Sequence, residues 1–156
     1  MNGVEISKDK FDSYKAGLAN ASGEFTDEEI IDKLVEQEII MQEIKRLGYT
    51  VTDAEVIKFN NERFALLDED PTAYQIIKDY VDGLGITMEE YKKMSLEISK
   101  TALLANKYKD DIQKEFIEEN PQIMSRSAAV KQQKFEDYFA DKIDDLCEKA
   151  DVEILN

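Results

Sequence analysis

Apolar and polar positions alternate at the two ends of the chain and recur every three or four residues nearly everywhere in between. Val4 and Ile6 near the start, and Val152 and Ile154 near the end, follow the two-residue period of a half-buried strand. A strand that short has no stability alone, and its simplest partner is the other end of the chain. Between them the period is helical. Ser7 is placed to cap a first helix running to about Ala21, with Phe11, Tyr14 and Leu18 on one stripe and Gly23 ending the connection.

Three later starts share one signature, a hydroxyl followed three residues on by a glutamate: Thr26 with Glu29, Thr52 with Glu55 and Thr87 with Glu90. Each is a capping box, in which the two side chains satisfy backbone N–H groups that the first helical turn leaves unpaired. The first box opens a helix whose Ile30, Ile31, Leu34, Val35, Ile39, Ile40, Met41, Ile44 and Leu47 cover more than one face, which predicts the main core element. Lys45 and Arg46 complement its carbonyl end and Gly48 stops it.

The second box opens a helix carrying Val56, Phe59, Phe64 and Leu67, which Asp68-Glu69-Asp70-Pro71 terminates. Pro71, with Asp70 as cap, starts a short helix showing Tyr74, Ile77, Tyr80 and Val81 and closed by Gly83 and Gly85. After the third box the stripe of Tyr91, Met94, Ile98, Ala105, Tyr108, Ile112 and Phe116 predicts one long helix, interrupted only at Asn120-Pro121. A last helix from about Ser125 to Lys149 carries Ala128, Phe135, Tyr138, Phe139, Ile143, Leu146 and Cys147, and Ala150 leads into the final strand. The expected fold is therefore mainly α: an elongated cradle of about six helices, with a small two-stranded sheet made by the terminal strands.

Composition narrows what such a fold can do. The 156 residues suffice for one cooperative core and are few for two ordinary domains, so a single domain over 1–156 is expected, with a helical body to 119 and a closing helix and strand over 125–156. Thirty-five acidic against twenty basic residues give a net charge of -15, which repels nucleic-acid backbones and anionic lipid surfaces. No apolar run reaches the length that spans a bilayer. The absence of histidine removes the commonest general base and metal ligand, and no cofactor or metal is expected. Cys147 is the only cysteine, so it has no intrachain disulfide partner, and its place on an apolar stripe predicts a packed thiol.

Read together, these segments resemble a known family. The run Leu34-Val35-Glu36-Gln37-Glu38-Ile39-Ile40-Met41-Gln42-Glu43-Ile44-Lys45-Arg46-Leu47-Gly48-Tyr49-Thr50-Val51-Thr52-Asp53-Ala54-Glu55-Val56 is similar to the central helix and following turn of SurA-like and PrsA-like peptidyl-prolyl isomerase chaperones. It also resembles the substrate-binding arm of trigger factor. Asn2 to Phe11, Gly85 to Tyr91, Lys131 to Phe135 and Ala150 to Leu155 resemble the family's opening strand and helix, the start of its long helix, and its closing helix and strand. In isomerase members a parvulin domain stands between the long and closing helices; here only Glu118-Glu119-Asn120-Pro121-Gln122-Ile123-Met124-Ser125 does. No Gly-Gly-x-Leu-Gly-like segment occurs either. The resemblance thus implies a chaperone module without isomerase activity in an extracytoplasmic, often lipid-anchored protein of the cell envelope, which agrees with a leader having been removed ahead of Met1.

A chaperone that holds unfolded clients needs apolar surface tolerant of many sequences, which flexible Met and rigid aromatics supply. Phe59, Phe64, Tyr74, Tyr80, Tyr91, Met94 and Tyr108 are the candidate peptide-binding residues, set against the plainer reading that each is core. Asp68-Glu69-Asp70 lacks the spaced ligands and turn glycine of a calcium loop and reads as a helix boundary. Glu28-Glu29, Glu89-Glu90 and Glu118-Glu119 are sequence neighbours that point to different sides of a helix, which argues against acid–base pairs. The expected partners are unfolded polypeptides. The alternative is an assembly protein that forms a homodimer by exchanging its closing helix about the Asn120-Pro121 hinge.

Overall fold

The computed structural model describes residues 4–18, 25–149 and 152–154. The chain is mainly α-helical, as the periodicity predicts. In order come β1 (Val4–Ile6), α1 (Lys8–Leu18), α2 (Asp27–Arg46), α3 (Asp53–Glu69), α4 (Pro71–Leu84), α5 (Met88–Met94), α6 (Leu96–Glu119), a 3-10 turn (Pro121–Ser125), α7 (Ala128–Glu148) and β2 (Val152–Ile154). The expected ends at Ala21, Gly23 and Ala150 lie outside the described residues, as do the side chains of Val4, Leu18, Val152 and Ile154.

All three capping boxes form. Thr26, Thr52 and Thr87 each accept from the backbone N–H of Glu29, Glu55 and Glu90, 3.2 Å in every case, and each glutamate accepts from its threonine's backbone N–H at 2.7–2.8 Å. Asp70 caps α4 by accepting from the backbone N–H of Thr72 and Ala73, which accounts for the Asp68-Glu69-Asp70 run as a helix boundary. Gly48 and Gly85 take up φ of +78° and +69° just beyond α2 and α4, the left-handed conformation that costs glycine little. Gly83 lies inside α4, so Gly85 alone ends that helix.

Seven α-helices stand among the described residues where about six are expected, because the predicted long helix is broken at Ser95 into α5 and α6. There the hydroxyl of Ser95 donates to the carbonyl oxygen of Tyr91 at 2.8 Å, the back-bonding that bends helices. The apolar stripe runs on through the break, so periodicity alone gives no sign of it. The start of the last helix also shifts. Pro121 opens a 3-10 turn, and Ser127 caps α7 in place of the expected start near Ser125.

The chain divides into two compact units, one comprising Met1–Leu47 with Lys109–Asn156 and the other Gly48–Tyr108. This boundary does not coincide with the division at 119/125 read from the sequence. In the first unit, α2 packs against α1, β1 and α7. Ile6, Ile30, Leu34 and Ile39 form its buried centre, edged by Phe11, Tyr14, Val35, Leu146 and Cys147. β1 and β2 lie side by side in parallel, with Val4 opposite Val152 and Ile6 opposite Ile154. Three residues on each side make no layer, and the architecture is helical. Phe116 extends the core through ring contacts with Phe135 and Tyr138. In the second unit α4 packs against α3 and α5, and Asn60 of α3 meets Ser99 of α6.

Candidate functional site

All seven candidate aromatic and methionine positions fall in the Gly48–Tyr108 unit, and the structure separates them into three groups. Phe64 and Tyr108 are buried. Tyr108 packs edge-on against Tyr49, at a ring distance of 5.9 Å, and is a core residue. Phe64, Tyr91 and Tyr80 form a chain of edge-to-face contacts at 6.0 and 5.9 Å with half-buried Tyr91 in the middle, the geometry that ring quadrupoles favour. Tyr74, Tyr80 and Met94 are exposed and Phe59 is half-buried. The set is therefore one connected trio plus separate members, and two of its seven members, Phe64 and Tyr108, are largely buried.

Exposed positions that the aromatic set leaves out complete the surface. Ile76 and Leu84 are 57% and 47% exposed, and with Tyr80 at 54% they form an i, i+4, i+8 line along α4. The opposite choice of residues, Ile77 half-buried and Val81 buried, faces α3 and α5. The signal in the sequence is that α4 is apolar on more of its circumference than one neighbour can cover.

Beside the trio is a half-open depression of about 120 Å³ lined by Arg63, Phe64, Leu67, Ile77, Tyr91 and Ser95. Pockets for drug-sized ligands and cofactors start at about 300 Å³, so this one has room for a single side chain. A buried polar network adjoins it through Arg63. Ser99, fully buried, donates from its Oγ to Asn60 Oδ1 at 2.7 Å and accepts from Arg63 Nη1 at 2.9 Å, while Asn60 Nδ2 donates to the Lys92 carbonyl oxygen at 3.0 Å. Lys92 Nζ sits 5.0 Å from the centre of the Phe64 ring. Polar residues of this kind carry no periodic signal, and Asn60, Arg63 and Ser99 are not distinguishable in sequence from solvated positions.

The titrating groups belong to structure. Hydrogen bonds from Lys107 and from the Thr52 backbone and hydroxyl lower the Glu55 carboxyl to about 2. Burial raises the Cys147 thiol, and the charges of Glu36 and Asp144 act in the same direction, so the thiol is a poor nucleophile. Among the described residues no three carboxylate or thiol groups converge as a cation site. None of the described helices is long and apolar enough to cross a membrane. No family model, curated protein or solved structure matches the chain.

Proposed function

We propose that the chain is a peptide-binding chaperone module that shields apolar segments of unfolded or partly folded extracytoplasmic clients, using no cofactor, metal or isomerase chemistry. The observation that carries this reading is the uneven distribution of apolar side chains between the two units. Among the described residues, 1–47 and 109–156 hold ten of the fourteen buried hydrophobic residues, and four of the twelve large exposed ones. Residues 48–108 reverse the ratio, with Val56, Phe64, Val81 and Tyr108 buried but eight large apolar side chains exposed. A unit that leaves that much apolar surface in water is equipped to cover someone else's. Ile76, Tyr80, Leu84 and Met94 combine aliphatic, aromatic and flexible thioether character, which suits a surface that must tolerate varied sequences.

The order of segments similar to SurA-like and PrsA-like chaperones supports the same reading, and the proposal includes the elongated cradle closed by a two-stranded terminal sheet that this similarity implies. The net charge of -15 would keep client complexes soluble. The test is dilution of a chemically denatured client protein with and without the chain, followed by light scattering. Suppression at near-stoichiometric ratios is expected, and the Ile76→Ser/Leu84→Ser double variant should lose most of it with its melting temperature unchanged, since both positions are solvent-facing. A chain that forms a defined dimer and leaves aggregation untouched would instead support the assembly role.

A further inference from the structure

Two cations without a carboxylate partner among the described residues meet at the depression beside Phe64. Residues 48–108 contain eleven carboxylates and seven cations, so acidic partners are in excess. Lys58, Lys78, Lys93 and Lys107 each pair with a carboxylate, Glu62, Asp82, Glu89 and Glu55 respectively. The other three, Arg63, Lys92 and Lys100, have no carboxylate within salt-bridge distance among the described residues, and two of them stand against Phe64: Arg63 lines the same depression and Lys92 lies over the ring. Among the described residues, one guanidinium N–H of Arg63 is engaged, by Ser99 Oγ. The remaining donors form the planar fork that matches a carboxylate. Beneath them Leu67, Ile77, Phe64 and Tyr91 supply apolar walls.

We infer that this depression receives the end of a client chain, an aliphatic last residue inserted between α3 and α4 with its terminal carboxylate on Arg63. The inference rests on the proposed peptide-binding function and names the part of the client that the site recognises. Three observations select a chain end over a passing segment. The volume of about 120 Å³ admits one aliphatic side chain, as a cavity of about 150 Å³ admits benzene. Arg63 lines it and Lys92 lies over the Phe64 ring that forms one of its walls, both without a carboxylate partner among the described residues of a unit rich in acid, which is charge complementarity for an anion. Carboxylate and side chain at a terminus sit on the same residue, so one small depression with an adjoining fork meets both; capture of a terminal carboxylate is a recurring mode of peptide recognition.

The experiment is fluorescence anisotropy with a labelled eight-residue peptide ending in Ala-Leu, prepared with a free carboxylate and as the C-terminal amide. The free acid is expected to bind roughly tenfold or more tightly than the amide, the range of a charge-assisted hydrogen bond. Arg63→Met should bring the two within twofold of each other, Arg63→Lys should restore part of the difference, and a free-acid peptide ending in Ala-Ser should bind weakly. Equal binding of acid and amide by the unaltered protein overturns the inference, whatever the folding of the variants. So does equal binding of an amidated peptide that carries an internal Glu before Leu, which would place the carboxylate on a side chain. If acid and amide bind alike while client aggregation is still suppressed, the terminal reading fails and the chaperone reading stands. If the terminal preference holds without suppression, the reverse is true.

Discussion

Glu55 is the residue whose environment makes the firmest solution prediction. Its carboxyl is held at about 2, against an ordinary value of 4.5, by hydrogen bonds from Lys107 and Thr52. A depressed folded value means that the carboxylate stabilises the fold at any pH above its ordinary value, and that this stabilisation disappears as pH falls through about 2. Glu55→Gln should therefore melt lower than the unaltered chain near neutral pH, and the two melting temperatures should converge as pH is lowered from 4.5 toward 2. A difference that stays constant across that range would show that the carboxylate charge is irrelevant. Ser99 gives a second check. Its replacement by alanine leaves the buried Asn60 Oδ1 without its partner and removes the acceptor of an Arg63 N–H, and should cost about 1–3 kcal/mol in urea denaturation. Ser95→Ala, which removes a bond only to a helix carbonyl, should cost less.

Among the elements, α2 and α4 are opposites. Leu34 on α2 is among the most completely buried side chains, and Leu34→Ala should cost about 2–5 kcal/mol through lost burial and the cavity left behind. Ile76→Ser on α4 should change stability by less than about 0.5 kcal/mol, since no neighbour covers that side chain. Comparable losses at the two sites would mean that the α4 surface is structural. Legibility also differs by element. Helix starts were readable because a capping box is a local arrangement of Thr and Glu that needs no tertiary partner, and the three boxes form as predicted. The break at Ser95 was not readable, because it depends on a hydroxyl choosing a carbonyl in its own helix while the apolar period continues. The candidate site was legible only as a list of ring types. Which rings touch, Phe64 with Tyr91 and Tyr91 with Tyr80, depends on helices far apart in sequence, and burial turned Tyr108 into core. Ile76 and Leu84 carry no sequence mark of their exposure, because exposure is decided by which neighbour α4 lacks.

At the level of the whole molecule, charge and greasiness are divided. Residues 1–47 and 109–156 hold twenty-four of the thirty-five carboxylates and, among the described residues, most of the buried core, while residues 48–108 hold most of the described large apolar side chains that are exposed. Under the proposed function, the more acidic unit supplies solubility and the less acidic one the client-binding surface. The central claim is that clients meet the chain on the apolar face of residues 48–108. Its most direct test is amide chemical-shift mapping of the full chain as an unfolded, aggregation-prone client is titrated in. Perturbations concentrated on α4 and α5, with Ile76, Tyr80, Leu84 and Met94 foremost, are the predicted result. Perturbations confined to α2 and α7, or none at client concentrations where aggregation is suppressed, would contradict it.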